Sequence, residues 1–226
     1  MRNCSLCDEP IILTAGPRTC SYCRLSEEGD HTCARGHYLC QACRSAVPSE
    51  LVARVCRESS ETDPFALARL ITSHPHFNQM GPQYHVVPGP VLVAVLANLG
   101  KIADKKTALA EAIERSRAVP ELSCAKRGLC GAAVGAGVAV SILTGATPLS
   151  ARERSLSLAA TAEALSLIAR QSGHRCCRQG MYATLEAAAE FLKRELGIDM
   201  PSAAKQCPHA ARTPECKQEA CPYYGG

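Results

Sequence analysis

Cys33-Ala34-Arg35-Gly36-His37-Tyr38-Leu39-Cys40-Gln41-Ala42-Cys43 places four soft ligands within eleven residues, in the order Cys-x3-His-x2-Cys-x2-Cys. Two further pairs precede it, Cys4-x2-Cys7 and Cys20-x2-Cys23. A Cys-x2-Cys step lets the chain turn both thiolates onto one ion, and four S/N ligands at tetrahedral distance suit Zn²⁺. Eight ligands make two closed sites, so two zinc ions are expected. The spacing leaves two pairings open. A sequential one joins Cys4, Cys7, Cys20 and Cys23, and separately Cys33, His37, Cys40 and Cys43. A cross-braced one joins Cys4, Cys7, Cys40 and Cys43, leaving Cys20, Cys23, Cys33 and His37.

Outside this head the pattern is helical, and the fold expected is mainly α with a small β-containing zinc-ribbon or treble-clef module at the N-terminus. The chain has 15 cysteines, no Trp, 3 Phe and 6 Tyr among its 226 residues, a composition suited to close-packed Ala/Leu/Val helices. Met1-Arg2-Asn3-Cys4 has neither the apolar stretch nor the cleavage pattern of a signal peptide, so a cytoplasmic location is expected. In a reducing compartment dense cysteines read as metal ligands or reactive groups rather than disulfides, and the odd total points the same way. A net charge of +4 permits nucleic acid without demanding it, because bound thiolates add negative charge outside the formal count. The Gly/Ala/Ser/Thr-rich run Leu129–Leu149 is too short in its apolar part to span a bilayer. No membrane contact is expected.

Three segments follow: a two-zinc module at 1–47, a helical domain at 48–200, and a cysteine-containing tail at 201–226. In the head, Ile11-Ile12-Leu13 followed by Gly16-Pro17 predicts a β-hairpin between two knuckles. The last Cys-x2-Cys is expected in the first turn of a helix. Ser49–Cys56 continues helically. Thr62-Asp63-Pro64 supplies a cap and a first-turn proline for a helix over 64–73. Further helices are expected at Val91–Leu99 and Asp104–Ala118. A capping box, Ser150-x-x-Glu153, opens a long one ending near Gly173, and Tyr182–Leu196 forms the last, stopped by Gly197.

Cys56 sits within a helical pattern and reads as an inert core filler. Cys124, Cys130, Cys176 and Cys177 lie instead beside turns and helix starts, where free backbone amides favour thiolates or donate to cluster sulfides. Cysteines gathered from separate helices could bind a [4Fe–4S] cluster, with Cys124, Cys130 and one of Cys176/Cys177 as the candidate ligands. Cys207, Cys216 and Cys221 form either a further site or a clamp on that one. His74, His76 and His85 fall in one Pro/Gly-rich loop, and His85 and His74 are the candidate proton carriers. No nucleophile elbow, Walker A loop or dinucleotide fingerprint occurs.

The stretch from Gly36 to Cys43 looks like the middle of a RING finger, but no later pair within reach completes that pattern, so ubiquitin-ligase function is not expected. Four blocks together resemble an uncharacterised bacterial and archaeal family of cysteine-rich domains of unknown function. They are Gly36–Cys43; Glu61-Thr62-Asp63-Pro64 with Gly81-Pro82-Gln83-Tyr84-His85; Cys130–Gly137 through Thr144–Leu149; and Arg175-Cys176-Cys177-Arg178. The resemblance implies kinship with domains fused to, or near, SAM-dependent methyltransferases in anaerobes, and hence a methyltransferase as a candidate protein partner. The Cys130 glycine-rich block is also loosely similar to iron–sulfur serine dehydratases and cysteine desulfidases. Two functions are therefore expected in competition. One is an iron–sulfur-dependent lyase or desulfidase-like enzyme acting on a sulfur-containing or small polar metabolite. The other is a zinc-finger binding module, scaffold or metallochaperone serving a methyltransferase or nucleic acid.

Overall fold

The computed structural model describes residues 3–171, 173–202, 204–210, 213 and 216–225. It is mainly helical, with a small two-stranded sheet at the N-terminus. Strand β1 (Ile11–Thr19) runs antiparallel to β2 (Ser26–Cys33), with Ile11 opposite Cys33 and Thr19 opposite Ser26. The hairpin thus lies elsewhere than Gly16-Pro17 suggested. Those residues sit inside β1 beside a register shift between Leu13 and Gly16, and the reversal is made by the Cys20–Cys23 knuckle itself. The proline is tolerated because a two-stranded sheet has only edge strands.

Helix α1 (Gln41–Arg44) starts at Cys40, whose sulfur accepts the Cys43 amide at 3.3 Å, so the last ligand pair does occupy a first helical turn. Then come α2 (Pro48–Glu58), α3 (Pro64–Thr72), α4 (Pro88–Asn98), α5 (Lys105–Arg117), the short α6 (Ser123–Lys126), α7 (Gly131–Thr144), α8 (Ala151–Arg170) and α9 (Cys177–Leu196). The capping box fails. Ser150 precedes α8, but its hydroxyl is engaged with Thr147, accepting that residue's amide at 2.7 Å. Helix α9 begins five residues before the expected Tyr182, because Cys176 caps it and the Gly180 backbone is already helical. Gly197, at φ 64°, ends it in the left-handed conformation that glycine adopts without a Cβ penalty.

Helix α7 is the hub, packed by α4, α5, α8 and α9. Its small residues permit this. A Cβ on Gly135 would come within 2.6 Å of the Gly89 amide nitrogen, so α4 and α7 approach backbone to backbone. One continuous core joins these helices to the head, running from Cys20, Tyr22 and Tyr38 through Leu51, Val55 and Phe65 to Tyr182 and Phe191. The Tyr22 hydroxyl seals the junction, within hydrogen-bonding reach of Ser5 at 3.0 Å and Ser73 at 2.9 Å.

Helix α3 shows local chemistry setting an end. The Asp63 carboxylate accepts the Phe65 amide at 2.8 Å, and Pro64 occupies the first position, where no amide partner is needed. Asp63→Ala is expected to cost about 1 kcal/mol. Urea unfolding of the metal-loaded chain measures it, and a midpoint unchanged from wild type would show that the cap contributes nothing.

Candidate metal centres and a thiol-lined cavity

Three turns in the head close on the carbonyl of their first ligand, two by a four-residue step and the third by a three-residue step. Asp8 donates its amide to the Cys4 carbonyl at 2.8 Å, Arg24 to that of Cys20 at 3.0 Å, and Gly36 to that of Cys33 at 2.8 Å. All three donors lie at positive φ, namely 63°, 61° and 76°. Each turn folds the chain back so that successive ligands face one point.

The result is two groups, Cys4/Cys7/Cys33/His37 and Cys20/Cys23/Cys40/Cys43, each with its ligand atoms within 4.8 Å of one another. The first ligand pair combines with the third and the second with the fourth. Neither expected pairing is correct. The reason is the hairpin: antiparallel pairing of Ile11 with Cys33 returns the third pair to the first, while the knuckle at Cys20–Cys23 lies at the other end, against α1. Within the groups Cys4 Sγ and Cys33 Sγ are each 3.5 Å from His37 Nδ1, and Cys7–Cys33 and Cys23–Cys40 are each 3.6 Å apart. Ligands around one tetrahedral zinc, with Zn–S near 2.3 Å, stand about 3.7 Å from each other. The donor set fits such an ion.

Electrostatics agree. The Cys43 thiol hydrogen-bonds to Cys20 and, with backbone amides of Cys23, Cys40 and Tyr22, pulls Cys20 down to about 4 against its burial. That same bond and burial push Cys43 up, while burial foremost lifts Cys40 to about 11. Four packed thiols cannot all ionise without a cation among them. Two metal ions are what these groups can hold.

The second set of cysteines shares one cavity. Cys124 on α6, Cys130 at the start of α7, and Cys176 and Cys177 at the start of α9 line one cavity of about 410 Å³. His85 joins them from the end of a single 3₁₀ turn, Pro82–Tyr84. Its ring lies against Gly131, where any Cβ would collide with it. Burial lowers the His85 pKa, opposed by a hydrogen bond to the Val119 backbone, and Nδ1 is buried without a partner. A neutral imidazole so placed can take a proton. Burial pushes the Cys177 thiol up to about 11, opposed by Arg175, with Cys130, Cys176 and Cys124 adding their charge. Cys124 is exposed at the mouth.

His74 is not brought to this cavity. It is buried in the junction with the head, 5.4 Å from the Tyr22 ring and 4.6 Å from His76, and burial lowers it to about 4. The loop therefore splits its imidazoles between two places. Cys56 is fully buried on α2, as a core filler would be, and burial pushes its thiol up to about 12. The tail cysteines Cys207, Cys216 and Cys221 gather with Cys176 at a separate, smaller cavity beside Arg178 and Lys217. The sequence reading gave neither cation a role. The signal available was the Cys-Pro step, present at both Cys207-Pro208 and Cys221-Pro222.

Among the described residues no helix is long and apolar enough to cross a membrane. No curated protein and no solved structure matches the chain. A family of unknown function, DUF5714, does match, over residues 52–224. The match takes in most of α2, the later helices, the thiol-lined cavity and the tail, but not the head block Gly36–Cys43. By that extent the chain belongs to the DUF5714 family.

Proposed function

We propose that the head binds two structural zinc ions and that the helical domain carries out soft-metal or redox chemistry on a sulfur-containing or small polar metabolite in the cavity at His85. The observation that carries this reading is the meeting of Cys124, Cys130, Cys176 and Cys177 with a buried, unpartnered His85 Nδ1 around about 410 Å³. Thiolates are soft ligands and nucleophiles, whereas His85 supplies the base that lyase or desulfidase-like chemistry requires. The Arg175 and Lys217 side chains add positive charge at the cavity wall for an anionic substrate.

L-cysteine is the first probe, under anaerobic conditions, read as released sulfide, pyruvate and ammonia. His85→Ala is expected to lower release by about a hundredfold or more, with metal content and melting temperature unchanged. Equal release by the variant removes His85 from the mechanism; loss of metal makes it a ligand.

One observation favours the binding-module reading for the head. Leu13 is 84% exposed on the hairpin, at the edge of a groove of about 300 Å³ that also contains Ile11, Tyr38 and Arg44. An exposed apolar side chain beside a groove suits a protein partner such as a methyltransferase better than nucleic acid. Leu13→Asp is expected to abolish co-purification with such a partner without releasing metal.

A further inference from the structure

We infer that Cys176, Cys207, Cys216 and Cys221 are the four ligands of an iron–sulfur cluster, held between the start of α9 and the C-terminal tail. The inference does not depend on the His85 cavity being catalytic. Cys176 stands in the wall between the two cavities and is drawn here to the smaller one, leaving Cys124, Cys130 and Cys177 to the larger.

Three observations support this site. First, one tight cavity is lined by four cysteines, one from the helix start and three from the tail. The tail is held there by structure of its own: Cys207 donates its amide to the Tyr223 carbonyl at 2.6 Å, and Tyr223 is buried with its ring stacked 5.4 Å from Tyr182.

Second, the backbone treats these sulfurs as it treats the head ligands. Cys176 accepts the Gln179 amide at 3.4 Å, and Cys216 accepts that of Gln218 at 3.4 Å. The backbone amides of His209 and Tyr223 likewise bond the Cys207 and Cys221 sulfurs. In the head, the amides of Leu6 and Tyr22 bond the Cys4 and Cys20 sulfurs in the same way. Amides two or three residues past each cysteine stabilise a thiolate, and hydrogen bonds to sulfur are what tune a cluster. The proline at 208 and at 222 removes the intervening amide and presets the turn.

Third, the surroundings await negative charge. Arg178 is 2% exposed and bonds Thr213 at 2.7 Å and the Phe77 carbonyl at 2.8 Å, yet its Nε is buried without a partner. An orphaned guanidinium N–H beside four thiols calls for a further acceptor. A cluster with four thiolates carries net negative charge, and Arg178 and Lys217 offset it.

The spacing chooses the metal. Among the described residues only the two head groups bring three or more ligand atoms within 4.8 Å of one another. The tail quartet is wider than a single zinc tolerates at about 2.3 Å per bond, and a four-iron cluster holds its thiolates farther apart.

The test uses the full chain purified anaerobically, or reconstituted with ferrous iron and sulfide. Wild type is expected to hold about four iron and four sulfide besides its zinc. The Cys207→Ser/Cys221→Ser double variant is expected to lose at least nine-tenths of the iron and sulfide and to keep the zinc. Cys124→Ser/Cys130→Ser is expected to keep the iron. Since the tail variant could unfold locally, the iron-loaded wild type is also alkylated and its cysteines mapped by mass spectrometry. Cys176, Cys207, Cys216 and Cys221 are expected to be shielded while Cys124 reacts. A third zinc with no iron, iron surviving the tail substitutions, iron lost with Cys124 and Cys130 instead, or tail cysteines alkylated as fast as Cys124 would each overturn the assignment. Sulfide release from L-cysteine is read separately, through His85→Ala, so the two proposals fail separately.

Discussion

Chelation of the metal-loaded chain is expected to abolish amide protection across residues 3–47 while leaving most of the far-UV helical signal in place. The head has little else to fold around. Apart from the ligands, its buried apolar side chains are Tyr22, Tyr38 and Ala46, whereas Ile12 is 48% and Leu13 84% exposed. At about 25 cal/mol per Å² such a core cannot offset the ordering of more than forty residues. Each structural zinc, by contrast, contributes an apparent binding free energy on the order of 10–16 kcal/mol in small zinc domains. Because the ligand sets interleave, the expected response is cooperative. Cys40→Ser removes a ligand of the second group, yet it is also expected to loosen the first, since both depend on the same hairpin. Hydrogen exchange with zinc titration reads this out. A head that keeps its protection without metal, or a Cys40→Ser variant that retains full protection around Cys4 and His37, would refute the account.

The second large effect concerns the crossing of α4 and α7. Gly135→Ala in an isolated helix would be favourable by about 0.5–1 kcal/mol, because glycine costs more backbone entropy. Here the sign is expected to reverse. The added Cβ would stand 2.6 Å from the Gly89 amide nitrogen and 3.0 Å from Pro88 Cβ, and a backbone atom cannot swing aside as a side chain can. Gly135→Ala is expected to cost about 1–2 kcal/mol and Gly135→Val about 3 kcal/mol, the range of overpacked cores. Thermal unfolding of the zinc-loaded protein measures both. A stabilised Gly135→Ala would mean that the two helices stand further apart. The same crossing positions the cavity, since α7 begins at Gly131 under the His85 ring. Gly135→Val should therefore also lower sulfide release.

Local chemistry was readable because it acts over a few residues. The eight head ligands are evident from their spacing, as each Cys-x2-Cys is a turn of its own. The Asp63 cap, the stop at Gly197 and the burial of Cys56 follow equally from near neighbours. The Ser150 box misled because its residues have a second local option: Thr147 competes for the hydroxyl that would have capped α8.

What the sequence by itself determined is the chemistry available: two closed sets of soft ligands in the head, a helical remainder, and thiols beside helix starts. Only the tertiary structure decided how those groups are shared. The ligand pairing turned on which strand ends meet, and the hairpin register brings Cys33 back beside Ile11 rather than beside Cys40's group. The division of the loop histidines, with His85 over Gly131 and His74 against Tyr22, depends on where α7 and the head each dock. The meeting of Cys176 with Cys207, Cys216 and Cys221 spans 31 to 45 positions of chain. Spacing rules govern ligands on a single turn. Ligands on different elements are brought together by packing, which depends on the volume and shape of every side chain between them.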